Sequence, residues 1–230
     1  MQHGPGAPPR AAVPPLAAVA HELRTPLGGI IGCADLLAAT ALDAEQRAHL
    51  DALREAASAL AAFADDALEL ARLGDPFAHA AVRAGPCDVR AVLAGVARTL
   101  APSAARRGLA LHVDVADDLP ADVRVDAGAL RRVLLNLGAN AVRATRRGAV
   151  RFTAAVDVEG ALVCAVADTG PGMTGAQQAR LFRAWATSGA EDGVGLGLVL
   201  AAELAARMRG ALTVASTPGV GSTFAVRVPV

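Results

Sequence analysis

Apolar residues recur every seven positions in the first part of the chain, at Leu16, Leu23, Ile30 and Leu37, and Ala20, Leu27 and Ala34 widen the stripe on one side. A seven-residue step is the period of a helix that packs along a seam, so a helix is expected from Leu16 to about Ala39. Thr40-Ala41-Leu42-Asp43 reads as a turn, with Asp43 as the N-cap of a second helix. That helix carries Leu50, Leu53, Ala57, Leu60, Ala64, Ala67 and Ala71 at alternating steps of three and four. Two antiparallel helices leave an apolar face open to water, and pairing two copies into a four-helix bundle closes it. The pattern therefore predicts a helical hairpin that forms a homodimer.

The first helix also carries His21-Glu22-Leu23-Arg24-Thr25-Pro26-Leu27. Positions four apart share a helix face, so His21 and Thr25 point the same way. Glu22 can accept the imidazole ring proton and leave one nitrogen free to attack an electrophile. Pro26 cannot donate to the carbonyl of Glu22, so a bend beside the histidine is expected. Taken alone, the pair is better explained as a helix surface that happens to carry His and Glu, and the rest of the chain has to overturn that.

Several classes are excluded by composition. The 22 basic and 22 acidic residues cancel, so no net charge points to nucleic acid or an acidic membrane face. No apolar run approaches the ~20 residues that span a bilayer. Met1 to Pro15 is rich in Pro, Gly and Ala, lacks a signal-peptide core and reads as a flexible tail. Cys33, Cys87 and Cys164 have no metal-ligand spacing and read as small buried hydrophobes in a reducing cytoplasm. Every basic residue is arginine.

Gly74-Asp75-Pro76 breaks the helical pattern, which places a linker at 74–80 between a hairpin domain, 16–73, and a second domain, 81–230. In the second domain, Ala81-Val82-Arg83 reads as a short strand. A helix capped by Asp88 runs to about Leu100 and is ended by Pro102. Strands are expected at 109–115, 150–156, 162–167, 212–216 and 223–228, with further helices at 126–145 and 196–208. Such an order predicts an α+β sandwich, with helices covering one face of a sheet.

Three stretches of this domain carry chemistry. Asn136 and Asn140 lie one turn apart on one helix face, with Arg143 and Arg146 nearby. Two carboxamide oxygens can serve a hard cation that brings its own phosphates, as Mg²⁺ does, or the stripe is simply solvated. Asp168-Thr169-Gly170-Pro171-Gly172-Met173 follows a strand. Its carboxylate can accept from an exocyclic amine while Gly170 and Gly172 let the backbone approach a flat ligand, though an ordinary turn would use the same residues. Gly193-Val194-Gly195-Leu196-Gly197 opens a helix and presents N–H groups to an anion. Between the last two, Thr174 to Asp192 carries Leu181, Phe182 and Trp185 and has the look of a lid. Thr223, after Gly221-Ser222, stands where it can meet a bound base. His3, His49, His79 and His112 have no partner at useful spacing.

The order and spacing of these pieces resemble a sensor histidine kinase of two-component signalling, over roughly residues 16–230. That family pairs a dimerisation and phosphoacceptor hairpin with a Bergerat-type ATP-binding domain. His21 to Leu27 is similar to its phosphoacceptor box and Asn136 to Asn140 to its N box. Asp168 to Met173 is similar to its first glycine box, Phe182 to its aromatic box, and Gly193 to Gly197 to its second glycine box. The resemblance implies that His21 accepts the γ-phosphoryl group of ATP with Glu22 as general base, and that Thr25 helps orient water when a partner is dephosphorylated. It further implies Mg²⁺ at Asn140 and Asn136, adenine at Asp168, and phosphates at Gly193, Gly195, Leu196, Gly197 and Arg143. Phosphate would then pass to an aspartate on a separate response-regulator receiver domain, chosen by hairpin residues such as Gly28, Ile31 and Asp35. Two positions depart from the family: Arg143 stands for its usual lysine and keeps the charge, and Trp185 stands for a second phenylalanine. Two other classes compete: a non-catalytic dimeric scaffold that binds a receiver, and a Bergerat-fold ATPase that drives conformational change. Intact Asn, Asp and Gly positions argue against the scaffold, and the His-Glu hairpin argues against the ATPase.

Overall fold

The computed structural model describes residues 16–73, 84–179, 181 and 196–230, and the chain divides into two compact units, Met1–Ala78 and His79–Val230. The expected strand at Ala81-Val82-Arg83 and the linker at 74–80 lie outside the described residues.

The first unit is the predicted hairpin, α1 (Leu16–Ala38) and α2 (Ala44–Leu73). Asp43 caps α2 by accepting from the Gln46 N–H at 2.8 Å, while Gln46 Oε1 accepts from the Asp43 N–H at 3.1 Å. This reciprocal pair satisfies two donors that the helix start leaves open. α1 continues through Pro26 as one helix. Arg24 pairs with Asp65, and Asp35 with Arg54, across the hairpin.

Packing divides the apolar stripe in two. Leu27 and Ala34 of α1 are buried against Leu50, Ala57, Ala64, Ala67 and Leu68 of α2, whereas Ile30 is 44% and Leu37 53% exposed. A hairpin has one internal seam, and the small alanines let the helices approach there. The leucine stripe lies beside that seam and, with Leu53, Leu60 and Phe63, stays open. Ile30, Cys33, Leu37 and Leu53 border an apolar cavity of about 400 Å³. Cys33 is exposed, against expectation, while Cys87 and Cys164 are buried. Burial pushes the Cys164 thiol up to about 12, so it is inert as a nucleophile near neutral pH.

The second unit begins with β1 (Gly85–Cys87), which pairs antiparallel with β3 (Val123–Val125) in a small separate sheet. The main sheet has the order β2-β4-β5-β7-β6, formed by β2 (Ala110–Val115), β4 (Ala149–Val156), β5 (Leu162–Asp168), β6 (Ala211–Thr217) and β7 (Gly221–Val228). β2 and β4 are parallel and the other neighbours antiparallel. α3 (Val89–Arg106), α4 (Ala127–Ala144) and α6 (Leu196–Arg207) supply the helical layer, and α5 (Gly175–Gln178) is a single turn. The α+β sandwich expected from the sequence is thus observed. β1, β3 and α5 are not expected from the sequence, and α3 does not stop at Pro102. Its buried stripe Val89, Leu93, Val96, Leu100 and Ala104 continues past the proline, so burial carries the helix over one lost hydrogen bond.

Alternate residues of β5, namely Leu162, Cys164, Val166 and Asp168, face the helices and are buried. Phe152 on β4 is fully buried and fills the space that Gly138 of α4 leaves. A Cβ at position 138 would stand 2.5 Å from Leu100 Cδ1 and 2.7 Å from Phe152 Cζ. Alanine would gain ~1 kcal/mol of helix propensity, but overpacking a closed core costs ~1–3 kcal/mol. Gly138→Ala is therefore expected to lower the melting temperature of the second unit, measured by calorimetry, with α1 and α2 unaffected.

Candidate nucleotide and phosphoacceptor sites

His21 lies in the second turn of α1. Glu22, Arg24 and Thr25, the next residues along this turn, are exposed, and Arg24 is tied to Asp65 of α2. This part of the hairpin is open to an incoming reactant.

In the second unit, several elements meet at the end of β5. Asp168 is its last residue and 9% exposed. Its Oδ1 accepts from the Gly170 N–H at 2.8 Å. Ser222 stands directly across on β7, where its N–H and hydroxyl favour the charged form of the carboxyl. Burial pushes the Asp168 carboxyl above its ordinary value of 3.8, and the polar groups of Gly170 and Ser222 pull against that shift without cancelling it.

Glycines make the crowding possible. A Cβ on Gly170 would stand 2.7 Å from Asp168 Oδ1, and one on Gly221 would stand 2.0 Å from the Asp168 carbonyl oxygen. Gly221, at φ +136°, holds a backbone conformation that L side chains rarely adopt. Gly172 (φ +67°) packs against the Thr217 carbonyl, and the Gly219 N–H donates to Pro171 O at 2.7 Å, fastening the 169–173 loop to the β6–β7 turn.

The asparagines join this end from α4. Asn136 Nδ2 donates to the carbonyl of Gly197, in the first turn of α6, at 3.0 Å. Asn140 Oδ1 accepts from Arg143. Leu196 opens α6 and is half-buried. Phe182, Gly193 and Gly195 lie outside the described residues.

One expected residue is not brought to the site. Thr223 is exposed, pairs with Ala167 and Ala215, and sits on the sheet face opposite Asp168. Ser222 takes the place beside the carboxylate, and two-residue alternation counted back from buried Val226 would have found it. Ser216 and Gln178 were also missed. Ser216 Oγ accepts from the Met173 N–H at 2.8 Å, and Gln178 Nε2 donates to Met173 O at 3.1 Å and to Ser216 O at 3.0 Å.

Two family descriptions match the chain in succession: "His Kinase A (phospho-acceptor) domain" over residues 16–76 and "Histidine kinase-, DNA gyrase B-, and HSP90-like ATPase" over 125–230. The chain belongs to the sensor histidine kinases. Within that family it is 35% identical over 215 residues to the Escherichia coli sensor protein TorS, covering 93% of this chain and 23% of TorS. It is 34% identical over 218 residues to the Escherichia coli histidine-protein kinase BarA, covering 91% of this chain and 24% of BarA. The chain thus spans about a quarter of these relatives. Among solved structures it resembles full-length ShkA, in complex with AMPPNP, with a TM-score of 0.70 and 40% identity over 94% of this chain and 46% of ShkA. The Acinetobacter baumannii histidine kinase AdeS shares the fold, with a TM-score of 0.62 at 21% identity over 91% of this chain and 97% of AdeS. Among the described residues, no helix of this histidine kinase is long and apolar enough to cross a membrane.

A carboxyl whose value is raised by folding contributes most to stability below its unfolded value of about 3.8. That contribution is lost as pH rises through the higher folded value. Asparagine at the same place does not titrate. Asp168→Asn is therefore expected to raise the melting temperature relative to the native chain by more at about pH 7.5 than at about pH 4, read from paired thermal scans without nucleotide.

Proposed function

We propose that this chain is an ATP-dependent protein histidine kinase core. In this reading residues 16–73 are the dimerisation and phosphotransfer domain, 74–80 a linker and 81–230 the ATP-binding domain. The observation that carries it is the junction at the end of β5, where a buried carboxylate, glycine-permitted backbone contacts and an asparagine helix converge, in one chain with a hairpin bearing His21-Glu22.

Asp168 accepts a hydrogen bond from the exocyclic amine of adenine. The start of α6, with Leu196 and Gly197, binds phosphate oxygens in this reading, and Gly193 and Gly195 are assigned the same role. Asn140 and Asn136 would hold Mg²⁺, which neutralises phosphate charge when bound. The residues fit this task. Asn136 spends its Nδ2 on Gly197, which leaves its oxygen as the ligand atom. Asn140 gives its oxygen to an exposed guanidinium, Arg143, which phosphate oxygens can draw away. Phe182 completes the nucleotide site in this proposal.

At the hairpin, Glu22 accepts the imidazole N–H proton of His21. The other ring nitrogen attacks the γ-phosphorus, the bond to the β–γ bridging oxygen breaks, and ADP leaves. An aspartate of a response-regulator receiver domain then takes the phosphoryl group. Thr25, exposed one turn beyond His21, orients water in the reverse dephosphorylation of that partner. Dimerisation through the open stripe of Leu23, Ile30, Leu37, Leu53 and Leu60 completes a four-helix bundle. A cytoplasmic location belongs to the same proposal, where free thiols and ATP coexist.

The test is incubation with γ-labelled ATP and Mg²⁺. Acid-labile, alkali-stable label is expected on the native chain and absent from His21→Gln and Asn140→Ala. Unlabelled native chain that also fails to bind ATP would leave the scaffold. Light scattering is expected to give twice the 23.1 kDa chain mass. Ile30→Glu, which puts a charge in the apolar seam, should return the single-chain mass.

A further inference from the structure

Ser216, Ser222 and Asp168 form one row across three adjacent strands. Ser216 of β6 is the register partner of Ser222 on β7, and Ser222 is the partner of Asp168 on β5. All three are at least half-buried.

A hydroxyl has one hydrogen, and that limits how the row can be wired. The Met173 N–H can only donate, so Ser216 Oγ accepts from it at 2.8 Å. The single hydrogen of Ser216 then has two acceptors in reach, Gly221 O at 3.0 Å and Ser222 Oγ at 3.0 Å. When it goes to Ser222, the Ser222 hydrogen is left for Asp168. When it goes to Gly221, the Ser222 hydroxyl is free to turn back onto Ser216 and away from the carboxylate. Wiring from Met173 through Ser216 and Ser222 to Asp168 is the arrangement in which each bond polarises the next. Gln178 fixes the head of this chain, because its carboxamide nitrogen holds both Met173 O and Ser216 O.

We infer that Ser216 is a positioning residue for purine recognition, holding the Ser222 hydroxyl on Asp168, and that Gln178 clamps the loop from which this hydrogen-bond chain starts. This rests on the proposal that Asp168 reads the exocyclic amine of adenine. Neither residue need touch the nucleotide. Their effect is on how well the carboxylate is presented, so they should govern the choice between bases more than affinity for phosphates.

The test uses the full chain with Mg²⁺ and titrates two probes by calorimetry: ADP, and IDP, whose base has a carbonyl in place of the amine. The native chain is expected to prefer ADP. Ser216→Ala should weaken ADP about three- to ten-fold, the range of one neutral hydrogen bond, and leave IDP nearly unchanged, so that the preference shrinks. Ser216→Thr, which keeps the hydroxyl, should restore it. Adding Ser216→Ala to Ser222→Ala should weaken ADP no further than Ser222→Ala alone. Gln178→Met should reduce the preference in the same direction, and serves if Ser216→Ala folds poorly. Equal weakening of both nucleotides, or additive losses in the double variant, would reduce Ser216 to a structural role and overturn the inference. A native chain that does not distinguish ADP from IDP would overturn the adenine reading of Asp168 itself, and the inference with it.

Discussion

A carboxyl group taken out of water needs hydrogen-bond donors, and the site end of the second unit is arranged around that demand at Asp168. The Gly170 N–H of the following loop donates to it, and Ser222, 54 positions away in sequence, is brought across from it on β7. Bringing both to one carboxylate leaves no room for Cβ atoms at Gly170 and Gly221. The turn carrying Gly219 must then close onto Pro171, and Gly172 must lie on Thr217. One buried charge thus explains glycines spread over two stretches of the chain. It also explains why the loop after β5 is fastened to the β6–β7 turn.

The hairpin follows a different economy of shape. Alanines dominate its internal seam, so the helices meet with little apolar area between them, and ion pairs at exposed positions add little. The large side chains, Leu23, Ile30, Leu37, Leu53, Leu60 and Phe63, lie on surface the hairpin does not cover itself. Burial of that stripe by a second surface would add the apolar area that the internal seam lacks.

Helix existence was legible because periodicity and caps agree: Asp43 and Asp88 stand as the expected N-caps, and Asp126, read as the first helical residue, caps α4 as well. Strand positions were legible to within two residues where turns flank them. The misses have physical causes. β3 is three residues, Val-Arg-Val, too short to alternate visibly, and its stability comes from pairing with β1. Pro102 read as a stop because local rules do not include the buried stripe running past it. Periodicity reports that a face is apolar and not which neighbour covers it, so it does not separate Leu27 and Ala34, which are buried, from Ile30 and Leu37, which are not. Residue type alone admits Thr223 near a bound base, whereas the two-residue period puts Ser222 on the side of Asp168. Ser216 and Gln178 act through contacts between residues about 40 positions apart, and no local pattern announces those.

Strand order has a consequence for how such a chain acquires its shape as it is made. The hairpin's contacts are local, so it can form early. The main sheet cannot close in that order, because β7 lies between β5 and β6 although it follows both in sequence. Until β7 arrives, β5 has one unpaired edge and Asp168 lacks Ser222 across from it. Closing the sheet and completing the row at Asp168 are therefore the same event, and a partly synthesised second unit has neither.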